Sequence, residues 1–128
     1  MVKKYQELTV WQKAFALCLE VYRATKAFPR TELYGLTAQI RRAAVSIPSN
    51  IAEGFGRRTT PDFLRSLYIA YGSLCELETQ VALAEAMAYL RSDDAANLRR
   101  SIGDVERLSK ALIRTLEKKR LGTRPLEH

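Results

Sequence analysis

Apolar residues return at alternating steps of four and three along four long segments of this chain. No segment shows the two-residue alternation of a half-buried strand. That rhythm places one side of each segment against a common core. With 128 residues in all, there is room for one such core and hardly for two. In the first segment Val10, Ala14, Leu17, Val21, Ala24 and Phe28 mark the buried face, and Trp11, Phe15, Cys18 and Tyr22 form a second stripe beside it. The spacing predicts a helix over residues 10–28, with Thr9 as its cap and Phe28-Pro29 as its stop.

The second segment, residues 32–55, repeats Leu36, Ile40, Ala43, Ile47 and Ile51 around an interior Pro48. An interior proline costs about 3 kcal/mol. A fresh start at Pro48 would leave Ile47 as a poor cap, so a kinked, continuous helix is expected, closed by Gly54 and Gly56 in left-handed positions. The third opens at Thr60-Pro61-Asp62, with Thr60 as the capping hydroxyl and the acid on the positive dipole end. It carries Phe63, Leu67, Ala70, Leu74, Leu77, Val81, Ala84 and Ala88 to about residue 90. A second apolar stripe, Leu64, Tyr68, Tyr71, Cys75 and Ala82, exceeds what one core needs and points to a subunit contact. The fourth runs from Ser92-Asp93-Asp94 to about residue 121, with Leu98, Ile102, Val105, Leu108, Leu112 and Leu116 inward. Connections of two to five residues favour antiparallel neighbours. The expected fold is all-α: an antiparallel up-down-up-down four-helix bundle filling residues 1–121. Residues 122–128 are expected to be a frayed tail, ending in Leu126-Glu127-His128 as an expression-tag scar.

Composition removes much chemistry. The one histidine is His128, so no Glu-x-x-His pair for a di-iron bundle site and no Ser-His or Cys-His couple is available. Cys18 and Cys75 form no C-x-x-C pair and are expected to be buried, reduced and inert, as in a cytoplasmic protein. There is no phosphate-cradling glycine loop followed by Lys-Ser/Thr, and no apolar run near the ~20 residues of a membrane span. Neither a cofactor nor a metal is called for, and an enzyme is not expected.

Charge is more informative. The formal net charge is +7, unevenly spread. Residues 1–60 carry ten basic and four acidic groups, residues 61–90 one and four, and residues 91–128 ten and six. At 100° per residue, Arg100, Arg107, Arg114 and Lys118 fall within about 40° of one another, opposite the fourth core face, with Lys110 at the edge. Such a stripe is either a solvated face or a phosphate-contacting one. A second basic group is Arg57, Arg58 and Arg65, beside the third helix start with its free N–H groups. Arg41 and Arg42 either join that surface or pair with acids elsewhere. Ser46, Asn50 and Glu53 share a face of the second helix; Ser73 and Glu76 lie on the third, beside Gly72, which would allow close backbone approach. These five are read as a structural polar network that sets helix register, against an acid/base pair of Glu53 and Glu76.

Leu8-Thr9-Val10-Trp11-Gln12-Lys13-Ala14 resembles the opening of the small four-helix proteins associated with intervening sequences in bacterial 23S ribosomal RNA genes. Tyr34-Gly35-Leu36, the run Gln39-Ile40-Arg41-Arg42-Ala43-Ala44, and Ser46-Ile47 through Asn50-Ile51-Ala52-Glu53-Gly54 resemble that family's most distinctive stretch. Ala70, Gly72-Ser73, Glu76-Leu77-Glu78 and Tyr89-Leu90 continue the likeness, which covers roughly residues 5 to 115. The resemblance implies a four-helix bundle assembling as a ring-like homopentamer. It also implies kinship with accessory proteins of diversity-generating retroelements, which bind nucleic acid and a reverse transcriptase. It supplies no catalytic activity. The expectation is a non-catalytic, cytoplasmic homo-oligomer that binds RNA or DNA through phosphates and does not engage a membrane. The alternative is an adaptor that docks a protein partner, such as a reverse transcriptase, with no direct nucleic-acid role.

Overall fold

A computed structural model describes residues 1–122; residues 123–128, with the expected tag scar, lie outside them. Four helices make up the fold: α1 (Thr9–Ala24), α2 (Leu36–Phe55), α3 (Thr60–Ala86) and α4 (Ser92–Gly122). There is no strand among the described residues. Each helix packs on its chain neighbour, and α4 closes back on α1. The core follows the four-three rhythm, but it also takes in Leu64, which was expected on the second stripe as a subunit contact and is 1% exposed. Leu17, Val21, Ile40, Ile47, Ile51, Leu67, Leu77, Val81, Ile102 and Val105 are all fully buried, each large side chain contributing about 1.5–3 kcal/mol by leaving water.

Residue pairs across the helices fix their register. Ser46 on α2 meets Ser73 on α3, and Gly54 on α2 meets Phe63 and Ser66 on α3. Tyr68 reaches Glu117, Tyr71 reaches Glu106 and Glu85 reaches Arg99 between α3 and α4. Glu20 on α1 accepts from Ser101 on α4 at 2.7 Å.

The ends depart from the expected ones for identifiable reasons. α1 begins at Thr9 itself, with Leu8 at the cap position and no side-chain cap. It stops at Ala24, and a 3-10 turn, Thr25–Ala27, carries the chain to Pro29. α2 starts four residues later than expected, because Arg30–Glu32 forms another 3-10 turn. The Glu32 carboxylate then caps α2, accepting from the Leu36 N–H at 3.0 Å and from the Tyr89 hydroxyl at 2.9 Å. α2 is continuous through buried Pro48, as expected.

Neither Gly54 nor Gly56 is left-handed; no glycine among the described residues has positive φ. Gly54 is instead a contact glycine. A Cβ there would lie 2.7 Å from the Ser66 Cβ and 2.9 Å from the Phe63 ring, so its absence lets α2 and α3 approach. Gly72 has the opposite surroundings: a Cβ there meets nothing within 4 Å, so no backbone approaches it as expected. The α3 cap is Thr59 rather than Thr60, its Oγ1 accepting from the Asp62 N–H at 3.2 Å. α3 ends at Ala86 in a Schellman turn: the N–H of Tyr89 reaches the Ala84 carbonyl and that of Ala88 the Glu85 carbonyl. Ala88, expected on the core face, sits at φ 62° and is exposed. Cys75 is exposed rather than buried. Cys18 is half-buried, and that burial pushes its thiol pKa up.

Candidate nucleic-acid interface

Contacts join segments that lie far apart in the chain. Tyr68, two turns into α3, donates to Glu117 at 2.6 Å, and Tyr5 lies in one groove with Ser49 and Ala52 near the end of α2. Arg57, Arg58, Arg65, Arg114 and Lys118 are all exposed, with Lys119 and Arg120 on the same turns of α4 as the last two. Between residues 107 and 120 α4 carries six basic side chains and one acid, Glu117.

The members of the two expected basic groups differ in freedom. Arg57 pairs with Glu53 at 3.2 Å, one turn earlier on α2; both are more than half exposed, so the pair contributes little to stability. Arg65 lies one turn inside α3, in a pocket of about 340 Å³ shared with Glu53, Arg57, Asp62 and Ser66. Asp62 already occupies the positive end of α3, so two acids temper this pocket as a phosphate seat. Arg58 makes no ion pair among the described residues.

Along α4, Arg100, Arg107, Arg114 and Lys118 are exposed, as the spacing requires. Arg107 is held by Asp104 at 2.9 Å, and Arg100 donates to the Asn97 side chain. Lys110 turns toward α3: its ammonium lies 5.7 Å from the Tyr71 ring centre and 3.8 Å from Glu106. Its pKa is raised, first by the hydrogen bond with Tyr71 and then by the nearby negative charge. The tyrosines answer in kind. Hydrogen bonding to Glu117 and to Glu106 raises the pKa of Tyr68 and of Tyr71 respectively, so both stay protonated donors. Between them runs an open groove of about 540 Å³, lined by Tyr68, Tyr71, Gly72, Lys110, Ile113, Arg114 and Glu117. Arg114 and Lys118 make no ion pair among the described residues and remain the free cations of the stripe.

Sequence reasoning passed over the tyrosine–glutamate pairs. Glu106 and Glu117 are eleven residues apart, three full turns, and so share a side of α4. That is a readable sign that they face a neighbour.

The polar network is smaller than expected. Ser46 and Ser73 share a hydrogen bond at 2.8 Å, and Asn50 donates to both the Ser46 carbonyl and its hydroxyl, at 2.8 and 2.9 Å. Glu53 and Glu76 stand outside it. Both are exposed; Glu53 faces Arg57 and Glu76 accepts from Gln80. Among the described residues no group of three or more His, Cys, Asp or Glu is placed to hold a metal ion. None of their helices is long and apolar enough to cross a membrane.

The described residues define an all-helical four-helix protein with exposed arginines and lysines. The sequence profile of the 23S rRNA-intervening sequence protein family matches residues 6–112, and the chain belongs to that family. Among solved structures it is similar to a protein of unknown function from the S23 ribosomal protein family of Bacteroides thetaiotaomicron. The TM-score is 0.76 at 21% identity, over 82% of this chain and 95% of that one, a likeness of fold. No curated protein matches the sequence.

Proposed function

We propose that this protein is a non-catalytic, cytoplasmic nucleic-acid-binding homo-oligomer that grips phosphates through a cationic end, with little base preference. The observation that carries this reading is that Arg58, Arg114 and Lys118 are exposed and make no ion pair among the described residues. Such cations suit phosphate contact, because each neutralised phosphate releases condensed counterions. The family's association with ribosomal RNA gene sequences points the same way.

In the same proposal the helices run up-down-up-down, antiparallel to their neighbours, and copies close into a ring-like homopentamer. The pairings Ser46–Ser73, Tyr71–Glu106 and Glu20–Ser101 support the first part. Apolar surface left uncovered on α1 and α2 and, separately, on α3 supports the second. Phe15, Leu19 and Val45 on α1 and α2 are 47%, 42% and 40% exposed, and Tyr68 and Ile69 on α3 are 46% and 51% exposed. A head-to-tail contact between unlike faces generates a ring when its rotation closes. Each closed contact in such a ring repeats the cationic end around the symmetry axis.

The test is the salt dependence of binding to unrelated RNA and DNA oligomers. Neutralising Arg58, Arg114 and Lys118 together should flatten the slope of log affinity against log salt by about 2 to 3, at roughly 0.7 to 0.9 per lost contact. Folding should move by no more than about 0.5 kcal/mol per site, since all three face water. A triple variant that folds and keeps both affinity and slope would overturn the site. Wild-type protein that binds no oligomer at ~50 mM salt would overturn the function and leave the adaptor. A monomer of 14.5 kDa in sedimentation equilibrium at micromolar concentration would overturn the ring.

A further inference from the structure

At the opposite end of the bundle, the α1–α2 connection encloses a pocket of about 230 Å³ lined by Thr25, Lys26, Arg30, Thr37 and Arg41, with Phe28, Pro29 and Leu33 as its apolar wall. Three cations and no carboxylate line it. Arg41 is held in place from two sides. Its Nε donates to the Thr25 Oγ1 at 2.8 Å, and its guanidinium carbon lies 4.8 Å from the Tyr22 ring centre. Thr25 is 2% exposed and fixed in turn by donating to the Val21 carbonyl at 2.8 Å. One edge and one face of the guanidinium are thus committed, while its two terminal nitrogens make no hydrogen bond among the described residues. Thr37, one turn before Arg41 on α2 and 4% exposed, carries a hydroxyl with no partner among the described residues. Lys26 and Arg30 are exposed on the 3-10 turns, and neither is ion-paired among the described residues. The nearest acid in sequence, Glu32, is committed to Leu36 and Tyr89.

We propose that this pocket binds a phosphate monoester, with Arg41 as a two-pronged donor and Lys26 and Arg30 closing over the anion. A planar guanidinium with its Nη edge open matches two phosphate oxygens. Three positive charges suit a group carrying nearly two negative ones at pH 7.5, rather than the single charge of an internal phosphodiester. The ligand chemistry is shared by the phosphorylated end of a nucleic-acid strand and by a small free phosphate. The pocket lies at the other end of the bundle from the cationic surface described above, so it does not depend on that surface binding nucleic acid.

The experiment is calorimetry and NMR titration of the full chain at ~150 mM salt with three probes: inorganic phosphate, a short single-stranded oligomer bearing a 5′-phosphate, and the same oligomer with a 5′-hydroxyl. The phosphorylated strand should bind about tenfold or more tightly than its 5′-hydroxyl twin. That preference should vanish in Lys26→Gln/Arg30→Gln, whose exposed sites leave the fold intact, and weaken in Arg41→Lys, which keeps charge but loses the fork. Inorganic phosphate that shifts Arg41 and Thr37 signals, with no preference between the strands, supports the pocket and assigns it to a free phosphate. No strand preference together with no response to inorganic phosphate overturns the proposal. So does a 5′-phosphate preference or an inorganic-phosphate response that the double variant and Arg41→Lys leave unchanged. Loss of all oligomer binding with a retained phosphate response would sink the cationic-end reading while leaving this one standing.

Discussion

Replacing Ala88 by glycine should stabilise the protein, although Ala88 is exposed. Its φ of 62° is the left-handed conformation, in which an L side chain crowds its own carbonyl at about 1–2 kcal/mol. Glycine relieves that strain but adds backbone freedom to the unfolded chain, worth about 0.5–1 kcal/mol. The net gain is about 0.5–1 kcal/mol, because both Schellman hydrogen bonds use backbone groups that the substitution leaves in place. The unfolding entropy of ~2.1 cal/mol/K per residue gives roughly 0.26 kcal/mol/K over residues 1–122. The midpoint should therefore rise by about 2–4 °C. Urea titration and calorimetry at one fixed protein concentration read both numbers, since assembly would otherwise make the midpoint concentration-dependent. Ala86→Gly is the control: the last residue of α3 has helical geometry, so there glycine should cost about 0.5–1 kcal/mol. If Ala88→Gly lowers stability as Ala86→Gly does, the left-handed assignment and the reasoning from it are wrong. Affinity for a 5′-hydroxyl oligonucleotide should not change, because Ala88 lies at the end away from Arg58 and Lys118.

Gly54→Ala should cost about 1–3 kcal/mol by forcing α2 from α3, whereas Gly72→Ala, with open space at its Cβ, should gain up to ~1 kcal/mol in the isolated subunit; denaturant midpoints distinguish them. Asn50→Ala should cost about 0.5–1.5 kcal/mol through its two lost hydrogen bonds to Ser46, and Glu76→Ala should stay within ~0.5 kcal/mol; turnover lost in either would revive the enzyme reading. The Glu32 pKa is lowered from 4.5, first by the Leu36 N–H and then by the Tyr89 hydroxyl. Its contribution is therefore complete above about pH 4.5 and fades as pH falls through its lower folded value. An acid titration of wild type against Glu32→Gln, followed by near-UV circular dichroism of Tyr89, should show the wild type losing its advantage below pH 4.5.

The helices were legible because their cause is local and repeated. Val10 through Leu116 announce their buried sides by spacing alone, and Pro48 could be kept inside α2 by comparing two starts. The ends were less legible. Thr59 and Thr60 offer the same hydroxyl, and only backbone geometry separates them. Gly54 reads like a helix terminator, yet its reason is Phe63 and Ser66 across a turn, a non-local cause. The left-handed residue, Ala88, lacks the glycine signal altogether. At the site, angular arithmetic placed Arg114 and Lys118 outward correctly. It could not turn Lys110 toward Tyr71, because that depends on which helix lies beside it. Arg41 was undecidable for the same reason: its partner Thr25 is sixteen residues away in another element.

Glu32 has a consequence for how the molecule opens. One carboxylate holds the first N–H of α2 and the phenol that follows α3, and the Tyr89 ring packs 5.5 Å from Phe28. Two connections far apart in sequence are thereby fastened by a single clasp. Neither can fray alone without stripping a partner from the other, so the amides of residues 36–39 and 88–90 should exchange with solvent as one cooperative unit, at a common opening free energy. Cutting the clasp with Tyr89→Phe should split that unit into two. The amides of α2 and α3 deeper in the bundle, whose exchange needs global unfolding, would keep their rates relative to one another.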